Sequence, residues 1–110
     1  MYKLAISTSG EYVSTAIFEE KLLASFVSKT NKGSTGILLN QINELFDKTK
    51  ASRNDLNALY LDVGPGYYTG LRIGLSVSQG LGAVLGIPII PVNGLDALAF
   101  AAHTSHRKIC

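Results

Sequence analysis

ALYLDVGPGYYTGLRIGLSVSQGLG, residues 58–82, decides how this chain folds. Its first six residues, Ala58–Val63, make a nearly unbroken apolar run, the pattern of a strand covered on both faces. Gly64-Pro65-Gly66 then sets two residues of wide backbone freedom around one of fixed φ. From about Tyr68 to Leu85 the spacing becomes helical; Gly86 closes that helix, and Ile87–Val92 reads as another strand. Strand, helix and strand in this order make a crossover unit, whose strands run parallel and whose hand is right-handed.

Working upstream, three short runs precede this unit: Tyr2–Thr8, Tyr12–Phe18 and Leu22–Lys29, all rich in β-branched and aromatic residues. Only Ser9-Gly10-Glu11 and Glu19-Glu20-Lys21 separate them, so they pair as an antiparallel meander. Ser34 or Thr35 can cap a helix in which Leu38, Ile42, Leu45, Phe46 and Thr49 form one stripe. Ser52-Arg53-Asn54-Asp55 is a turn. Downstream, Asn93 can cap a last helix through Leu95, Leu98 and Ala102. The order β-β-β-α-β-α-β-α predicts an α/β fold with a five-stranded mixed sheet and helices on its faces. It resembles the lobe of the actin/hexokinase/ribonuclease H-like (ASKHA) group.

Composition narrows the function classes. With 110 residues the chain fits one domain, with enough core to fold without staples. Its single cysteine, Cys110, excludes a disulfide framework and a cysteine-rich zinc site, so a reducing, cytoplasmic compartment is expected. No apolar run reaches the ~20 residues of a membrane span, and MYKLAIST lacks a signal-peptide layout. A net charge of +2, scattered along the chain, offers no basic stripe for a phosphate backbone and argues against strong direct contact with nucleic acid. Only 16% of residues are charged, against ~25% in ordinary domains, which suggests a surface meant to be covered.

Seven of the 11 glycines lie between Gly64 and Gly86, and they allow two functional readings. Gly64, Gly66, Thr69 and Gly70 form a candidate anion loop, where backbone amides turn toward a phosphate; the same glycines also serve a tight strand-to-helix turn. Gly70, Gly74, Ser78 and Gly82 recur every fourth residue as a small-residue ridge. Glycine inside a helix costs up to ~1 kcal/mol against alanine, so the ridge is expected to admit the close approach of another backbone. That backbone belongs either to the chain's own sheet or first helix, or to a second subunit. The second is carried forward as an interface of Leu38, Leu39, Gly70, Leu71, Gly74, Leu75, Ser78 and Gly82.

GPGYYTGLRIGLSVSQGLG followed by GIPIIPVNGLDALA resembles the TsaB (YeaZ) family, and LAISTSGEYVSTAIF with the K-G-S-T helix start extends the likeness over all 110 residues. The resemblance implies a role in making the threonylcarbamoyl-adenosine modification of tRNA. It also implies a catalytically silent relative of TsaD, the ATP-dependent transferase subunit, bound beside TsaD through helices of this lobe. A TsaE-like ATPase would join a larger complex, and the chain would form a homodimer when alone.

The residues themselves favour a scaffold over an enzyme. TsaD-type enzymes carry two metal-ligating histidines four apart; here Gly94 and Leu98 stand at those positions, and neither can ligate a metal. His103 and His106 lack a third ligand nearby. Actin-like ATPases place Asp near the end of the first strand, where this chain has Ser7, and a serine neither holds Mg²⁺ by charge nor acts as a base at neutral pH. The hydroxyls of Ser7, Thr8 and Ser9 are expected to tie the hairpin together. Asp62 departs from the family's usual Gly; it is expected partly solvated and hydrogen-bonded to the glycine-rich loop, with Arg72 pairing with it or with Asp55. No cofactor, metal or protease triad is expected. The alternative, the nucleotide-binding lobe of an actin-like kinase with Asp62 as base, lacks a partner for that acid. Arg107–Cys110 reads like the start of a further strand, so residues 1–110 are read as one lobe, either a fragment or an isolated lobe, with the second lobe absent or not in this chain.

Overall fold

The structure, a computed structural model, describes residues 2–29, 35–66 and 68–93. Strands β1 (Tyr2–Ser7), β2 (Tyr12–Phe18) and β3 (Leu22–Lys29) precede helix α1 (Thr35–Thr49). Then come β4 (Leu56–Asp62), α2 (Tyr68–Leu85) and β5 (Ile89–Val92). The sheet order is β3-β2-β1-β4-β5. The first three strands pair antiparallel; β4 joins β1, and β5 joins β4, in parallel. This is the mixed sheet the element order predicts. The expected last helix and the Ser34 cap lie outside the described residues.

Several boundaries differ from the sequence reading: β1 ends at Ser7 rather than Thr8, and β4 spans Leu56–Asp62 rather than Ala58–Val63. β5 begins at Ile89 rather than Ile87, because the Ile87 N–H turns back to the Gly82 carbonyl at 3.1 Å while Leu59 N–H takes the Pro88 carbonyl at 3.0 Å. At Arg53–Asp55 the turn tightens into a single 3-10 turn, capped by Ser52 Oγ, which accepts from Asn54 N–H.

Register places both helices on one face. Leu4 lies opposite Ile17 and Leu59, and Ile6 opposite Thr15 and Leu61; residues in register share a face. These apolar residues are buried together with Leu38, Ile42, Leu45 and Phe46 of α1, while Ile73, Val77, Leu81 and Leu85 of α2 pack at the margin. A polar pair, Thr15 and Gln41, is built into this layer. Thr15 Oγ1 donates to Gln41 Oε1 at 2.9 Å, and Gln41 Nε2 donates to the Val13 carbonyl at 2.9 Å and to Ser28 Oγ at 3.0 Å. With each group partnered, Gln41 pins α1 over β2 and β3 without leaving a buried polar atom bare. On the opposite face the Phe18 and Tyr60 rings meet across β1, 5.6 Å apart.

Candidate functional site

Three consecutive residues at the end of β1, Ser7 to Ser9, clamp the segment that joins β4 to α2. Ser7 Oγ donates to Asp62 Oδ2 at 2.8 Å, and Ser9 Oγ donates to the same oxygen at 2.5 Å. Between them Thr8, pointing to the other face, donates its Oγ1 proton to the Gly70 carbonyl of α2 at 2.5 Å. Asp62 Oδ1 also accepts the Gly64 N–H at 2.9 Å, within the glycine-rich loop as expected. The three hydroxyls therefore tie β1 to β4 and α2. That corrects the expectation that they close the hairpin, and the reason is topological: parallel pairing puts Ser7 and Asp62 at the same edge of the sheet, 55 residues apart in the chain.

The candidate anion loop is spoken for at two of its glycines. Gly64 has φ +101° and spends its N–H on Asp62. A Cβ on Gly66 would run into the Ser9 carbonyl oxygen, so glycine here lets two loops touch backbone to backbone. Thr69 is exposed at the start of α2. Arg72 sets its guanidinium over the Tyr68 ring, 5.6 Å from the centroid, instead of the expected pairing with Asp62 or Asp55.

The small-residue ridge faces inward. Gly70, Gly74, Ser78 and Gly82 are the buried residues of α2. An added Cβ at Gly74 would stand 2.5 Å from Thr8 Oγ1 and 3.2 Å from Leu61 Cδ1; at Gly82 it would meet the Ile87 carbonyl at 3.2 Å. The ridge lets α2 settle onto the chain's own β1, β4 and the turn before β5. This corrects the expectation that a foreign backbone takes this face. Leu38, fully buried in the core, likewise leaves the expected interface. Leu39 and Leu75 remain exposed at 44% and 43%, and Leu71 is half-buried.

Opposite the ridge runs a second row that the sequence reading passed over. Tyr68, Arg72, Ser76, Gly80 and Val84, again four apart, are all exposed, with Tyr68 at 70% and Val84 at 83%. Gly80 has nothing within 4 Å of where its Cβ would lie. The signal was present as a second period-four row, but the denser glycines of the inner row masked it. Among the described residues no group of three or more His, Cys, Asp or Glu side chains converges to hold a metal. Gly94, Leu98, His103, His106 and Cys110 lie outside the described residues. Among those described, no helix is long and apolar enough to cross a membrane.

Comparison with known proteins places this geometry among relatives. The family model described as tRNA N6-adenosine threonylcarbamoyltransferase, TsaD, matches residues 23–110. The tRNA threonylcarbamoyladenosine biosynthesis protein TsaB of Buchnera aphidicola subsp. Schizaphis graminum is 33% identical over 105 residues, covering 96% of this chain and 50% of that protein. YeaZ from Pseudomonas aeruginosa superposes with a TM-score of 0.86 at 31% identity, over 96% of this chain and 49% of that one. The chain thus spans about half the length of these relatives. RuvC of Thermus thermophilus, at 13% identity, matches with a TM-score of 0.61 over 96% of this chain and 72% of its own, a likeness of fold alone. The architecture is that of a ribonuclease H-like, actin-like lobe.

Proposed function

This chain belongs to the TsaB (YeaZ) family, and from that premise we propose that it serves in threonylcarbamoyladenosine formation on tRNA as a non-catalytic subunit. It is one lobe, and it holds a TsaD-like transferase through the outer faces of α1 and α2. In the absence of that partner the same faces associate with a second copy, and a TsaE-like ATPase completes the larger assembly.

The observation that carries this reading is the outer row of α2. Tyr68, Leu75 and Val84 expose apolar side chains around Ser76, Gly80 and Ala83, which leave the helix backbone uncovered. Gly80 weakens the helix by about 1 kcal/mol relative to alanine and returns no packing against the described residues. A second helix seated there would recover that cost through close backbone contact. Leu39 on α1 extends the apolar surface. A standard interface removes ~800 Å² from each partner, with apolar and aromatic residues at its centre and polar groups at its rim.

Substitution of Val84→Asp together with Leu75→Asp places two charges on this exposed face and should leave the fold intact, since neither residue belongs to the core. Co-purification with a TsaD-like transferase, followed by light scattering of the chain alone, checks the reading. Capture by the parent and its loss, tenfold or more, in the double variant is the expected result. Equal capture by both would remove α2 from the interface.

A further inference from the structure

The C-terminal edge of the sheet between β1 and β4 is where open α/β sheets receive ligands. Here it holds a donor set already in use. Ser7 Oγ and Ser9 Oγ from the end of β1 and the Gly64 N–H from the loop after β4 converge on one carboxylate at 2.8, 2.5 and 2.9 Å. Two hydroxyls and one amide aimed at a common centre are the groups that bind a small oxyanion, and charge-assisted hydrogen bonds of this kind are the strong ones. The bound anion is the chain's own Asp62.

We propose that Asp62 is a built-in occupant of this donor set, an autoinhibitory contact through which the chain excludes phosphate-bearing ligands from the edge of its sheet. A phosphate arriving there meets a carboxylate of like charge and finds the nearest protons committed. It finds no slack in the loops either. Gly66 sits directly on the Ser9 backbone, and Thr8, between the two donating serines, is anchored to the Gly70 carbonyl. The donors are thus held in place from both sides, and the carboxylate is what fills them. Removing it leaves a preformed pocket for a small anion. This inference goes beyond the scaffold reading and stands apart from it, because partner capture by α2 does not pass through Asp62.

The test titrates inorganic phosphate, and separately ATP with Mg²⁺, into the full chain while following the backbone amide resonances of Ser9, Gly64 and Gly66. The parent should show no saturable shift with either. Asp62→Ser and Asp62→Gly, each checked for folding by circular dichroism, should bind phosphate at least about tenfold more tightly than the parent, as expected when a like charge a few ångströms away is removed. Either variant alone suffices if the other does not fold. Two results overturn the proposal: a folded variant that stays silent to phosphate, or a parent that binds ATP with Mg²⁺ and loses it on Asp62→Ser, which would make the carboxylate a ligand-binding group. Neither result alters the co-purification outcome, so the two readings fail separately.

Discussion

Ser78 lies fully buried on the inner ridge of α2, and its Oγ has no hydrogen-bond partner. Its size suits the contact, but its hydroxyl does not; a buried orphan hydroxyl costs about 1–3 kcal/mol relative to one that is satisfied. Ser78→Ala keeps the volume nearly unchanged and removes the orphan. The variant should be more stable than the parent by about 1 kcal/mol, read from the midpoint of urea unfolding at constant slope. A loss of similar size would mean that the hydroxyl is satisfied in solution. Asp62 presents the opposite case, a polar group with three donors, two of them from a distant segment and one from its own loop. Its presence was legible from the sequence, but its partners were not, because Ser7 and Ser9 meet it only through parallel pairing of β1 with β4.

For α2, two glycines of the same helix should respond with opposite signs. Gly74→Ala drives a Cβ toward Thr8 Oγ1, which cannot swing away without giving up its bond to the Gly70 carbonyl. That substitution should cost about 1–3 kcal/mol. Gly80→Ala meets only open space and should add about 0.5–1 kcal/mol, while weakening any association that uses the bare backbone. Thermal and denaturant unfolding of the pair separates the two roles. α1 offers a third case at its end. Lys50 follows the last helical residue with φ +61°, a left-handed conformation that suits glycine and costs other residues about 1–2 kcal/mol. Lys50→Gly should therefore raise stability by about 1 kcal/mol, with the unfolding slope unchanged. From sequence the period-four spacing marks both rows of α2 alike; which row faces inward depends on where the helix lands on the sheet.

At the scale of the molecule, β1 is the only described strand with a partner of each kind, antiparallel β2 on one side and parallel β4 on the other. Its residues Leu4 and Ile6, with Leu59 and Leu61 of β4, anchor the core beneath both helices. Amide hydrogen exchange should be slowest in β1 and β4, approaching the global unfolding free energy, and faster in the four-residue edge strand β5. Faster exchange in β1 than in β5 would contradict the central place given to that strand. The same layering leaves the outer face of α2 exposed: the sheet takes the small residues, and Tyr68 and Val84 stay largely uncovered among the described residues.

Taken alone, the order of periodicities determined the architecture. Short β-rich runs with three-residue links can only pair antiparallel, and a strand, glycine turn, helix and strand can only cross over in parallel. Those are local constraints, set by spacing along the chain. Tertiary structure alone decided what the glycines serve and what Asp62 touches. A glycine row permits close approach without naming the backbone that approaches, and a carboxylate accepts whichever donors the fold brings within 3 Å. The deciding contacts, Gly66 and Gly74 against Ser9 and Thr8 and Asp62 against Ser7 and Ser9, join segments more than fifty residues apart, and no spacing along the chain encodes them.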